Sequence, residues 1–248
     1  MLSLAQIIVL ALKSTSRKFG WWILAFLQFI FFVAFFKSLF AVKNGTMLGL
    51  LCLLGFSAVT CSLWLDIRAV VLKAQAKMSV REFFSLVVNF ALIFLIFFAL
   101  GMTLRVLGVP FYAFELLMSI IFATTLVLLL NLVMFKQKFF NALLVSLDMW
   151  KKTPLLGVTF SASIFILFNL CLIFSQKVLK IYFFGEFSVL NRSATIWVFG
   201  FSSVVCLAFI LACFNSFWVL CVLEKIRPLN SKEHYKTDVS ITAPEAAV

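Results

Sequence analysis

Charge is what this chain has least of. Of its 248 residues, 12% are Asp, Glu, Lys or Arg, where a soluble domain averages about 25%. Too little polar surface is present to coat a globule in water, so a bilayer must act as solvent. Histidine occurs once, as His234 in the polar C-terminal stretch. A metal site built from protein takes three or four His, Cys or carboxylate ligands, so no metal and no cofactor is expected. The six cysteines form no CxxC pair. Cys52, Cys61, Cys171, Cys206, Cys213 and Cys221 all fall within apolar runs. There they read as small, polarisable packing residues, not as disulfides, which belong to oxidising aqueous loops. The chain also lacks HExxH, GxSxG, paired buried aspartates and a glycine-rich loop before a lysine. Those absences argue against intramembrane hydrolysis and nucleotide hydrolysis, and no catalytic residue is assigned.

What the chain does have is six long apolar runs: 20–41, 46–65, 83–101, 109–135, 154–174 and 197–223. Hydrophobic residues make up 65% of the whole. A helix rises about 1.5 Å per residue, so roughly 20 apolar residues cross a hydrocarbon core of about 30 Å. Only helices or closed barrels satisfy their backbones in lipid, and continuous runs without period-two alternation exclude a barrel. The expected fold is all-α and polytopic, with a six-helix transmembrane domain over 1–223 and a polar, disordered tail over 224–248.

The basic residues set an orientation. Residues 1–19, the loops 66–82 and 136–153, and the stretch from Glu224 hold fifteen of the 21 Lys and Arg residues. The opposite side, Lys37 included, holds six. Positive charge marks the cytoplasmic face, so both termini are expected in the cytoplasm. The net charge of +12 is spread over membrane-flanking clusters. It reads as topology and attraction to anionic headgroups, not as a nucleic-acid surface. The start lacks the order of a cleavable signal: Leu2 to Leu12 is apolar and Lys13, Arg17 and Lys18 follow it. Asn44-Gly45-Thr46 and Asn191-Arg192-Ser193 match the glycosylation sequon but read as chance tripeptides.

A threefold rhythm overlies the spans. Each pair is preceded by a segment too polar to cross and too apolar to be free in water, at about 4–19, 66–82 and 138–152. In the third, Phe139, Phe140, Leu143, Leu144 and Leu147 recur at spacings of three and four, the mark of one apolar helix face. Ile7, Ile8, Ala11 and Leu12 do the same in the first. Three interfacial amphipathic helices are therefore expected on the cytoplasmic side. Arg17 and Lys18, and Lys151 and Lys152, would contact lipid headgroups where these helices turn into the bilayer.

The stretch KFFNALLVSLDMWKKTPLLGVTFSASIFILF, residues 138 to 168, resembles the amphipathic-helix-then-span unit of bacterial six-span membrane proteins of unknown function. Related units form the membrane domain attached to some glycerophosphodiester phosphodiesterases. LAQIIVLALKSTSRKFGWWIL, residues 4 to 24, has the same cadence. The resemblance extends to the layout of residues 1 to 223 and implies a bacterial inner-membrane protein with no known activity.

Few polar groups interrupt the spans. Lys37, Glu115 and Arg105 lie near the outer ends of the first, fourth and third spans, at depths where they can pair, and charge within a span is costly and often functional. Asn89 and Asn131, with Gln28, Asn169 and Asn215, lie deeper, where amides fix helix packing or line a polar path. Ser119 and Ala123, Gly157 and Ser161, and Ala208, Ala212 and Ser216 give small residues at spacing four, suited to close helix approach. Phenylalanine is abundant at 33 copies and is expected mainly to face lipid. The role read from these features is non-enzymatic: a membrane-organising or accessory subunit whose partners are lipids and other membrane proteins. The alternative is a small permease for a lipid or hydrophobic solute. An accessory subunit should be packed solid. A permease should hold a water-accessible cavity reaching Glu115 and the asparagines.

Overall fold

A computed structural model of the chain describes residues 3–39, 45–72, 78–108, 110–135, 139–174 and 194–226. In order, its helices are α1 (Leu4–Ser16), α2 (Phe19–Leu39), α3 (Gly45–Leu72), α4 (Val80–Val106), α5 (Phe111–Phe135), α6 (Phe139–Lys152), α7 (Pro154–Ile173) and α8 (Ala194–Cys221). Wider π turns prolong α8 over Val222–Ile226. The apolar runs take this form because a helix pairs its own backbone groups where no water can. Five helices are long and apolar enough over their described residues to cross a membrane, and α2 qualifies together with α1. At 21 residues, α2 is itself about 31 Å long. The protein is an all-α, multi-pass membrane protein. Alternation of the spans gathers α1, α6, the α3–α4 connection and the end of α8 at one end of the bundle. That end carries Lys13, Arg17, Lys18, Arg81, Lys151 and Lys152 and is called the basic end below.

The first and third amphipathic segments are separate helices. Ser3 caps α1: its Oγ accepts the Gln6 N–H at 3.2 Å, and Gln6 Oε1 accepts the Ser3 N–H at 2.8 Å. The chain then bends by 97° between α1 and α2, which lays α1 across the axis of the first span. Along α1, Ile7, Ala11 and Thr15 are buried while Ile8, Val9 and Leu12 are exposed; its main neighbour is α8. Along α6, Ala142, Ser146 and Met149 are buried against α5 and α7. Phe140, Leu144 and Leu147 face outward at 74%, 58% and 47% exposure. The large apolar side chains thus turn to the surroundings, and a narrow strip of smaller ones meets the protein.

The segment 66–82 departs from expectation. Residues 66–72 prolong α3, and 80–82 already belong to α4; residues 73–77 lie outside the described residues. No separate interfacial helix forms there among the described residues. Ile67 is fully buried, so the apolar side chains of 66–72 serve the α3 core contact. On the other side, Glu82 and Ser79 form a reciprocal cap that starts a new helix at Val80.

The helices approach closely where small residues permit it. Ala123, Ala212 and Ser216 are completely buried. A Cβ on Gly55 would lie 2.7 Å from the Phe31 ring, and one on Gly157 would lie 2.6 Å from the Trp150 ring. α2 and α3 run side by side, α8 touches α1, α2 and α3, and α5 is flanked by α3, α4, α6 and α7.

Candidate functional site: a phenylalanine-lined cavity

Among the described residues, phenylalanine is not mainly a lipid-facing residue. On α4, Phe90, Phe94, Phe98 and Met102 recur every fourth residue and all line one internal cavity, because that spacing stacks side chains on one helix face. Phe32 on α2, Phe56 on α3 and Phe122 on α5 close the other walls. Their rings touch one another: Phe56 lies 5.3 Å from Phe94, Phe32 lies 5.6 Å from Phe56, and Phe94 lies 6.3 Å from Phe122. These tilted pairs, and the edge-on Phe32–Phe94 and Phe56–Phe90 pairs beside them, add to simple burial. Other phenylalanines, such as Phe84 and Phe201 at 65% and 69% exposure, do face outward.

The cavity has a volume of about 370 Å³. An apolar cavity of ~150 Å³ accommodates benzene, so this one has room for a molecule of roughly fifteen carbon atoms by the same measure. From Phe90 to Met102 it follows α4 for about 18 Å. Met102 and Phe165 line it while being 47% and 45% exposed themselves, so it opens toward the flank of the bundle.

Its deep end is polar and crosses three helices. Asn215 on α8 accepts a hydrogen bond from the Trp64 indole N–H at 2.6 Å. The Asn215 amide in turn donates to Gln28 Oε1 at 3.0 Å and to the Leu211 carbonyl at 2.9 Å. Gln28, Trp64 and Asn215 all line the cavity. Thr60, Ser119 and Thr125 line it too, and each donates its hydroxyl to a carbonyl of its own helix. Their oxygens therefore remain acceptors. The wall can seat an apolar body and take hydrogen bonds from one polar end.

Tryptophan ties this site to the rest of the fold, a role that periodicity did not disclose. The Trp21 indole donates to Asp66 at 2.6 Å, Trp22 to the Thr15 carbonyl at 2.9 Å, Trp150 to Thr124 at 3.0 Å and Trp218 to Ser163 at 2.8 Å. With Trp64, five tryptophans bond to another helix among the described residues. Thr15 and Ser216 share a further bond of 2.9 Å between α1 and α8. The available signal was chemical: a buried indole N–H needs an acceptor, and each span offers few.

The other candidate residues are scattered. The backbones of Lys37, Arg105 and Glu115 sit near the ends of α2, α4 and α5 away from the basic end; their side chains lie outside the described residues. Asn131 is completely buried, and its Nδ2 donates to the Val127 carbonyl at 3.0 Å. Its Oδ1 has no partner among the described residues. Asn89 is exposed and lines a different cleft, which Asn131 does not. The asparagines therefore do not form one path. Arg17 and Lys18 occupy the α1–α2 corner, and Lys151 and Lys152 end α6, all four exposed. Lys152 pairs with Asp148 at 3.0 Å.

Fold and cavity together define a class: a multi-pass α-helical membrane protein with an internal aromatic-lined chamber. No protein-family model matches the chain, and no curated protein or solved structure matches it.

Proposed function

We propose that this protein is a non-enzymatic membrane protein that takes a lipid chain or another hydrophobic solute into the phenylalanine-lined cavity. The single observation that carries this reading is the cavity itself, apolar along its walls and hydrogen-bonding at Gln28 and Asn215. Pockets for small molecules combine these features: apolar lining and a few placed polar groups. An accessory subunit would be packed solid at this place, so the cavity favours the permease-like alternative, although Asn215 is the one asparagine among the described residues that lines it and its walls are apolar rather than a watery path. The proposed setting is a bacterial cytoplasmic membrane with both termini in the cytoplasm, supported by the Lys and Arg distribution and by the sequence's resemblance in layout to bacterial six-span proteins. Lipids are then both surroundings and ligand.

Labelling with a long-chain alkyl diazirine tests this. On irradiation in detergent or nanodiscs, the wild-type protein should carry label on Phe94, Phe122 or their cavity neighbours. Ser119→Phe, which places a ring where a hydroxyl now lines the cavity, should remove most of that label while leaving label on the outer faces. Label confined to outward residues such as Phe201 in the wild type would overturn the reading.

A further inference from the structure

A second cavity adjoins the first. It lies along α4 and α5 near the basic end and measures about 410 Å³. Phe90 and Leu129 line both cavities; each is 3% exposed, and together they form the partition. The second cavity differs from the first in chemistry. Arg81, Ser85 and Asn89 recur every fourth residue along α4 and all line it, so a cation, a hydroxyl and an amide share one helix face. Arg81 stands in the first turn of α4, and Asn89 is about 12 Å further along the axis. Among the described residues Arg81 has no ion pair and Asn89 no hydrogen bond. An amide left bare at that depth of a bilayer is unfavourable. Glu82, the one acid in the lining, is turned back on the chain: its carboxylate accepts the Ser79 N–H at 3.1 Å. Leu86, Leu132 and Val133 supply an apolar wall.

A cation at the edge of the bundle, followed inward along α4 by a hydroxyl and an amide, repeats the order of phosphate and glycerol esters along a phospholipid, and Leu86, Leu132 and Val133 give that level of the cleft apolar sides. We propose that the α4–α5 cleft binds an anionic phospholipid of the leaflet at the basic end. Arg81 pairs with the phosphate, Ser85 and Asn89 hydrogen-bond the glycerol and ester oxygens, and Leu86, Leu132 and Val133 flank the glycerol and the first carbons of the chains. This site goes beyond the phenylalanine cavity and stands even if that cavity takes no ligand, because the partition of Phe90 and Leu129 separates them.

The test uses the full chain in phosphatidylcholine nanodiscs with phosphatidylglycerol added in steps, the retained anionic lipid being counted by native mass spectrometry. Arg81→Gln should lower phosphatidylglycerol retention about fivefold, the equivalent of ~1 kcal/mol for one cation at an anionic membrane surface. Asn89→Leu should lower it as well, and Lys13→Gln, which removes a cation of the same end outside the cleft, should not. Retention unchanged in Arg81→Gln would overturn the proposal, and so would equal loss in Lys13→Gln. Displacement of the lipid by inorganic phosphate would replace it with a soluble-anion site. Should Arg81→Gln fail to fold, wild-type protein irradiated with a phosphatidylglycerol bearing a diazirine near its glycerol decides the matter: label on Leu86, Leu132 or Val133 supports the site, and label only elsewhere overturns it.

Discussion

Asn215 has the most to lose by substitution. It is 1% exposed and joins α2, α3 and α8 through Gln28 and Trp64. Asn215→Leu fills the space but strands the Trp64 N–H and the Gln28 carbonyl, and a buried polar group left without its partner costs about 1–3 kcal/mol. The thermal midpoint in detergent should fall. Trp64→Phe removes the stranded donor, so the double variant should lose less than the sum of the single losses; strict additivity would show that the bond carries no coupling. The residue scale is also where the sequence was least legible. Asn215 and Gln28 stood out as polar interruptions of apolar runs, but nothing in their spacing could say that they meet, because 187 positions separate them. The same holds for Trp150 and Thr124. Such pairs are consequences of packing, and periodicity along a single helix carries no information about its partner.

Among the helices, α6 was the more legible and the α3–α4 connection the less. The three- and four-residue spacing of Phe140, Leu144 and Leu147 identified one amphipathic helix almost to its ends, because an exposed apolar stripe next to polar positions has no other regular solution. Over 66–82 no such spacing supported the expectation, which rested on intermediate polarity and the rhythm of the spans; Ile67 is core, not interface, and apolar content alone does not distinguish the two. The structure separates the two faces of α6 into distinct predictions. Leu144, at 58% exposure, meets whatever surrounds the protein. Leu144→Asp should cost up to about 1.5–3 kcal/mol where acyl chains bury that leucine, so its penalty should be larger in lipid nanodiscs than in a short-chain detergent. Ala142 is completely buried, and Ala142→Leu overpacks the α5 contact by about 1–3 kcal/mol in either medium. Thermal midpoints in both media decide this. A penalty for Leu144→Asp that ignores the lipid would place the leucine stripe in water rather than on the membrane.

At the scale of the molecule, the six-span architecture was written in run length and charge, since a bilayer imposes one thickness and one backbone solution on every segment. The cavity was half legible: Phe90, Phe94 and Phe98 mark one helix face, but the sequence could not tell whether that face met lipid or an interior. Orientation remains a proposal that rests on fifteen cations against six. It has a structural corollary, because α1, α6 and Arg81 all share the basic end. If that end is cytoplasmic, the proposed phospholipid site lies in the leaflet where anionic headgroups concentrate. A reporter active only in the cytoplasm should be active when fused after Val248 and silent when inserted next to Asn44, and a periplasmic reporter should give the reverse. The same side for both fusions would break the alternation of spans on which the bundle depends. Opposite sides with the C-terminus outside would keep the fold but turn Arg81, Ser85 and Asn89 toward the outer leaflet. The lipid expected in their cleft would then have to be drawn from that leaflet.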